Sequence, residues 1–168
     1  ELPVDQWGCD VVITGSQKGW MVPPGLTMIS VSKEAWEAHK NALMPRFYFD
    51  FTLAKRYLDR GQTPATPALS ILFALDQALE MMEKEGLDRI HKRHARIGAI
   101  TRQGIKDLGL TLFADEDHAS NTVTAFYVPM GIDAAKLIQI LEKDHQVVLA
   151  GGQGPLQGKI LRIGHLGH

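Results

Sequence analysis

Asp10-Val11-Val12-Ile13-Thr14-Gly15-Ser16-Gln17-Lys18 is the stretch on which the fold turns. Its first half is apolar and β-branched and reads as a buried strand. Its second half is a run of small and polar residues ending on a lysine. Pro23-Pro24-Gly25 then forces a tight turn, and Thr27 to Val31 reads as a returning strand. A lysine at such a strand end is expected to be partly desolvated, which favours the neutral amine. That is the form that attacks a carbonyl to make a Schiff base. Alone, Lys18 reads more readily as a surface lysine.

Working outward, Ser32 is a plausible N-cap for a helix over Glu34 to Leu43, with Pro45 as its stop. Arg46 to Gly61 mixes aromatics and charges and ends in a loop. Thr66-Pro67 opens the clearest helix, with Thr66 as cap and Pro67 at the first helical position. Leu69, Leu72, Phe73, Leu79 and Met82 follow at three-to-four spacing, and Gly86 reads as the C-terminal cap. A basic amphipathic helix covers about Leu87 to Leu108. Beyond it the pattern is strand (Leu110 to Phe113), strand (Thr122 to Val128), helix capped by Asp133, strand (Gln146 to Leu149) and strand (Lys159 to Ile163). That order reads as a small α+β domain. The boundary falls near residue 88.

Composition narrows the function. Of 168 residues, 45% are hydrophobic and 22% charged, enough for a packed core in a globular protein. A formal net charge of -1 gives no reason to expect a nucleic-acid or membrane partner, and no transmembrane run is present. The single cysteine, Cys9, excludes an internal disulfide framework and a thiolate metal cluster, and no metal site is expected. A cytoplasmic location follows as the simplest expectation. The start on Glu-Leu-Pro and the end on Ile-Gly-His-Leu-Gly-His suggest a fragment of a longer chain.

Gly15-Ser16-Gln17-Lys18 with Pro23-Pro24-Gly25-Leu26 resembles the cofactor-lysine segment of class V aminotransferases, in the serine–pyruvate and alanine–glyoxylate branch. Arg46-Phe47-Tyr48-Phe49-Asp50, Thr63-Pro64-Ala65-Thr66-Pro67, Gly151-Gly152 and Leu161-Arg162-Ile163-Gly164 extend the resemblance in order along the chain. Within the family the sequence is most similar to cyanobacterial proteins labelled soluble hydrogenase small, or tritium-exchange, subunits. Hydrogenase chemistry uses metal centres normally held by several cysteines, so these residues do not carry what that label describes.

The resemblance implies an α/β architecture, the type I pyridoxal-phosphate transferase fold of the aspartate aminotransferase kind. Residues 1–88 would be the C-terminal part of the large α/β domain and 89–168 a small, truncated α+β domain. It also implies a homodimer that transaminates a small amino acid, alanine or serine, with a 2-oxo acid, glyoxylate or pyruvate. Lys18 would carry pyridoxal 5'-phosphate and shuttle the proton, and Gln17 would contact the phosphate. Thr66, at a helix N-terminus suited to an anion, would reach the partner subunit's phosphate. Arg162 would grip the substrate α-carboxylate, since a fork in an apolar strand needs an anion; a structural salt bridge would serve that need equally. The family often has a tyrosine where this chain has Thr63. The aspartate that pairs with the pyridine nitrogen would lie before Glu1, so the fragment alone is expected to be inactive. Another class V chemistry, desulfuration, calls for a histidine before the lysine and a later cysteine; Gln17 and the position of Cys9 disfavour it. A non-catalytic assembly subunit is the remaining alternative.

Three features read as structural. Gly151-Gly152-Gln153-Gly154 is a turn lacking dinucleotide-loop spacing. His91 and His94 belong to a solvated basic face with Lys92, Arg93 and Arg96. Met81-Met82 is core and edge packing.

Overall fold

Val11–Gly15 (β1) and Thr27–Val31 (β2) pair antiparallel, with Val11 opposite Val31 and Gly15 opposite Thr27. The computed structural model describes residues 2–168. The chain divides into two compact units, the first reaching to Lys84 and the second spanning Glu85–His168. In the first unit β1 is not the buried strand its composition suggests. Val11 and Ile13 are exposed, Ile13 at 65%. A two-stranded ribbon has no neighbouring strand or second sheet to close over both its faces.

Ser32 caps α1 (Lys33–Lys40), accepting the Ala35 N–H at 3.0 Å and donating to Asp10 Oδ1 at 2.7 Å. The helix ends at an Asn41 cap, before Pro45 is reached. A helix stands where the sequence suggested a mixed segment running into a loop. This is α2 (Phe51–Leu58), opened by Asp50, whose carboxylate accepts the Leu53 N–H at 3.0 Å. Trp36, His39 and Phe51 bring their ring centroids to 5.6 to 5.9 Å, edge-on or tilted, and join α1 to α2.

α3 (Leu69–Glu85) begins later than Thr66-Pro67 suggested. The Pro67 carbonyl takes the Leu69 N–H at 2.9 Å in a tight turn, and the first helical acceptor is the Ala68 carbonyl, 3.0 Å from Leu72 N. Thr66 therefore lies outside the helix and does not cap it, and Pro67 is not its first residue. The helical period holds, but the covered face is offset. Ile71, Ala74, Leu75, Ala78 and Met82 turn inward, while Leu69, Leu72, Phe73 and Leu79 are exposed, Phe73 at 73%. Ile71 sets that face by packing where Gly25 lacks a side chain. Gly86, at φ +84°, leads into the next helix.

The second unit packs α4 (Leu87–Asp107) and α5 (Ala134–His145) with a three-stranded antiparallel sheet. The strands are β3 (Val123–Tyr127), β4 (Ala150–Gly151) and β5 (Ile160–Gly164), in the order β3-β5-β4. Asp133 caps α5 by accepting from Ala135 and Lys136 N–H at 2.8 and 3.0 Å. Ile105, Phe126, Ala134 and Leu161 form the core, with Leu110, Leu112, Leu137 and Ile138 packed around it. Two expected strands are slighter than their sequences suggest. Leu110 to Phe113 supplies one bridge, Leu112 to Phe126. Gln146 adopts φ +56° to close α5, so pairing starts only at Ala150.

His94 is 7% exposed, which overturns its reading as part of a solvated face. The segment after β5 lies over it, as its bond to Gly167 shows. His165 in that segment bonds Thr124 Oγ1 at 3.0 Å, and burial holds its imidazole below the usual histidine range.

Leu161 is fully buried, so Leu161→Ala should cost about 2–5 kcal/mol by leaving a cavity, read as a shift in the urea midpoint. A lowered folded-state value for His165 means its contribution is present above its ordinary value of 6.5 and is lost as pH falls through the folded value. The urea midpoint should therefore drop between about pH 7.5 and 5.5, and His165→Gln should flatten that slope.

Candidate active site

Lys18 sits on a turn directly after β1. The turn is built by backbone bonds: Lys18 N–H to the Gly15 carbonyl at 3.1 Å, and Met21 N–H to the Lys18 carbonyl at 3.1 Å. Its anchor is Ser16, which is completely buried. The Ser16 hydroxyl donates to the Pro23 carbonyl at 2.7 Å and accepts the Leu26 N–H at 3.2 Å. The backbone doubles the tie, Ser16 N–H donating to the Leu26 carbonyl at 3.0 Å and Val22 N–H to the Ser16 carbonyl at 3.3 Å. Trp20 Nε1 donates to Thr14 Oγ1 at 3.1 Å and braces the turn against β1. Gly25, at φ +145°, is held to glycine twice over, by its backbone and because a Cβ there would overlap Ile71 Cδ1.

Sequence reasoning passed over Ser16, although a serine flanked by an apolar strand and a double-proline return is a signal for a local side-chain bond.

Lys18 itself is exposed, as is Gln17. The expectation of a sheltered amine is not met within this chain. The reason is geometric: the turn's anchor takes the interior position, and the next two side chains project outward from it. No hydrogen bond or carboxylate within the described residues occupies the Lys18 amine, so it is available to a carbonyl group. Thr66 lies in the extended approach to α3, exposed, its hydroxyl taking no bond from the helix's first turn. The neighbouring Thr63 hydroxyl is spent on the Ala65 carbonyl at 2.6 Å.

Arg162 belongs to the second unit, on the central strand β5, opposite Ala125 of β3 and Ala150 of β4. It is half-buried. Nε donates to the Gly151 carbonyl at 2.9 Å, which fixes the guanidinium plane. Among the described residues no carboxylate pairs with it, so the salt bridge that could explain it structurally is not formed. Its two terminal nitrogens remain for an outside anion, the geometry a carboxylate takes in a two-bond grip. The glycines beside it are only in part the turn their spacing suggests: Gly151 ends β4 opposite Leu161, and Gly154 opens a short 3-10 turn. Gly152 N–H donates to the Ile160 carbonyl at 3.0 Å, and a Cβ on Gly152 would overlap the Leu156 carbonyl. Among the described residues no group of three His, Cys, Asp or Glu side chains is placed to share a metal ion.

Nearly the whole chain is similar to known proteins. The family model described as Aminotransferase class-V matches residues 1–159. The small subunit of a soluble hydrogenase from Synechococcus is 47% identical over 166 residues, covering 99% of this chain and 43% of that protein. A serine–glyoxylate aminotransferase from Methylorubrum extorquens is 40% identical over 169 residues, covering 97% of this chain and 42% of its own length. The crystal structure of an alanine–glyoxylate aminotransferase from Nostoc superposes with a TM-score of 0.93 at 28% identity, over 99% of this chain and 45% of that one. The chain thus spans less than half the length of the relatives it matches.

If Ser16 is the anchor of the lysine turn, Ser16→Ala should cost about 1–3 kcal/mol, because the Leu26 N–H loses its side-chain acceptor in a buried site. Amide hydrogen exchange at Leu26 should quicken with it, and unchanged exchange there would show that the backbone ties suffice.

Proposed function

The chain belongs to the aminotransferase class-V family, and we propose that it carries out pyridoxal-phosphate-dependent transamination of a small amino acid, alanine or serine, with glyoxylate or pyruvate. One observation carries the reading: a lysine amine that no described residue bonds, on a turn pinned by a fully buried serine, in a chain that also holds an arginine fork with no carboxylate partner among the described residues. The class is pyridoxal-phosphate-dependent. The residues fit that group. Lys18 offers an amine free of competing partners, the form of side chain that can hold an aldehyde cofactor covalently.

Bound, the cofactor supplies an electron sink that lowers the cost of removing the substrate's Cα proton. The protein's own residues do the rest. With the cofactor bound, Lys18 Nζ would act as the base that takes the substrate's Cα proton and holds it for delivery to the cofactor's C4′. Gln17, exposed beside it, offers amide donors to the phosphate. Thr66, with its hydroxyl free of the helix it precedes, reaches the phosphate held by a second copy of the chain in a homodimer. Arg162 takes the substrate α-carboxylate on its terminal nitrogens while Nε stays on Gly151. That grip is the same before and during proton transfer, so it contributes binding more than rate.

Residues 1–88 are assigned to the large domain and 89–168 to the small one. A cytoplasmic location goes with this reading; no helix among the described residues is long and apolar enough to cross a membrane. Names among the relatives support the substrate choice, since one is a serine–glyoxylate and another an alanine–glyoxylate aminotransferase. The soluble-hydrogenase names keep an assembly-subunit role as the alternative.

The test is an assay of the full-length protein, loaded with pyridoxal phosphate, across amino donors and the two acceptors. Lys18→Ala should lower turnover by about 10²–10⁴-fold or more. Arg162→Lys, which replaces the fork by a point charge, should raise KM for the donor by roughly tenfold with a smaller change in kcat. Residues 1–168 alone should show no transaminase turnover, because the Lys18 amine is exposed among the described residues. Absence of turnover in the wild type, with a partner protein co-purifying, would favour the assembly role instead.

A further inference from the structure

Arg93 and His94, adjacent on α4, both reach the backbone of one residue, Gly167. Arg93 Nη1 donates to its carbonyl at 2.8 Å, and its N–H donates to His94 Nε2 at 3.3 Å. Each gripping side chain is held in turn. Arg93 Nε and Nη2 meet the two oxygens of Glu85 at 2.7 and 2.9 Å, a planar fork on a carboxylate. His94 Nδ1 lies 2.8 Å from the Ile90 carbonyl, which can only accept. The ring therefore carries its proton on Nδ1 and presents Nε2 as an acceptor. The Arg93 guanidinium also holds the Glu85 carboxyl below the usual carboxylate range.

The gripped residue is itself unusual. Gly167 has φ +125°, backbone that side-chain-bearing residues rarely adopt. A residue that cannot exchange its glycine easily thus has both its backbone polar groups claimed by side chains of one helix. The chain between Gly167 and β5 is tied as well, His165 N–H donating to the Thr122 carbonyl at 3.0 Å and its ring bonding Thr124. Arg162 stands on the strand that this segment leaves.

We propose that Arg93 and His94 are positioning residues for Arg162: by clamping Gly167 they lock the exit of β5 and hold the arginine fork where a substrate carboxylate can meet it. The inference rests on the carboxylate-binding role given to Arg162 above. Arg93 and His94 bond the chain beyond β5 and not Arg162 itself, so the clamp acts through the strand.

Two substitutions of one residue separate the clamp from plain packing. In the full-length protein His94→Asn keeps a polar group near the Nδ1 position but none where Nε2 stood. His94→Gln places an amide oxygen near the Nε2 position. Amide exchange at Gly167 and Ile163 should quicken roughly tenfold or more in His94→Asn and stay near wild type in His94→Gln. KM for the amino donor should rise roughly tenfold in His94→Asn, with kcat and cofactor affinity nearly unchanged, and recover in His94→Gln. Gly167→Ala, which disturbs the clamp from the other side, should reproduce the His94→Asn pattern.

Equal loss of protection in the Asn and Gln variants would overturn the proposal, since volume and not the acceptor would then matter. Quicker exchange with unchanged KM would also overturn it. A wild type without transamination but with the exchange pattern intact would sink the reading of Arg162 and leave the clamp itself standing.

Discussion

A single buried hydroxyl organises the turn that carries Lys18. Ser16 is completely enclosed, and a polar group in that position is tolerable only if fully bonded. It is: its hydroxyl donates to Pro23 and accepts from Leu26. Those two bonds convert the span from Ser16 to Leu26 from a free loop into a closed ring of fixed size. The proline pair stiffens the return, Gly25 lets it press against Ile71, and Trp20 braces the outer side. Lys18 is therefore exposed yet carried on a rigid mount. A reactive amine needs that combination, because a side chain wandering with its own loop would spend most of its time out of reach.

The same logic recurs at the arginine. β5 is the central strand of a small sheet, flanked on both edges, and its first residues, Ile160 and Leu161, are buried in the core. Arg162 follows them directly, so its Cα position is set by packing it does not itself supply. The bond from Nε to Gly151 then removes rotation about the end of the side chain. What is left is two nitrogens with a defined direction and no internal anion. In both places glycine lets the backbone close up against its neighbours. Gly25 and Gly152 each stand where a Cβ would overlap a neighbour.

Much of this was legible in the sequence, and the reasons for the exceptions are physical. Strand, lysine turn and returning strand are written in β-branched residues, Gly15 and Pro23-Pro24-Gly25, because those residues have few conformational alternatives. Caps by Ser32 and Asp133 are legible for the same reason. Thr66-Pro67 misled because a threonine before proline is good cap chemistry wherever it occurs, while the tertiary setting let the Pro67 carbonyl close a tight turn and begin α3 afterwards. α2 was hidden because its apolar residues sit beside exposed aromatics, which blur the period. Phe47 and Phe49 are exposed just ahead of it. His94 was misread because its helical neighbours Lys92 and Arg96 point to solvent, and nothing local announces that a segment seventy-odd residues later folds over one position of that face.

Exposure of Lys18 has a consequence for how the family's chemistry is distributed along a chain. Removing a Cα proton against water demands a dry, electrostatically ordered site, and a projecting amine cannot create one. Among the described residues Lys18 stands exposed on its mount, and the Arg162 fork keeps its two terminal nitrogens unbonded. Holding a group and enclosing it are separable tasks: positions are fixed by a few short bonds to backbone, whereas enclosure takes area, which only large packed elements provide. The apolar side chains left open on the first unit, among them Ile13, Phe73 and the aromatics before α2, are surface of the kind such packing consumes.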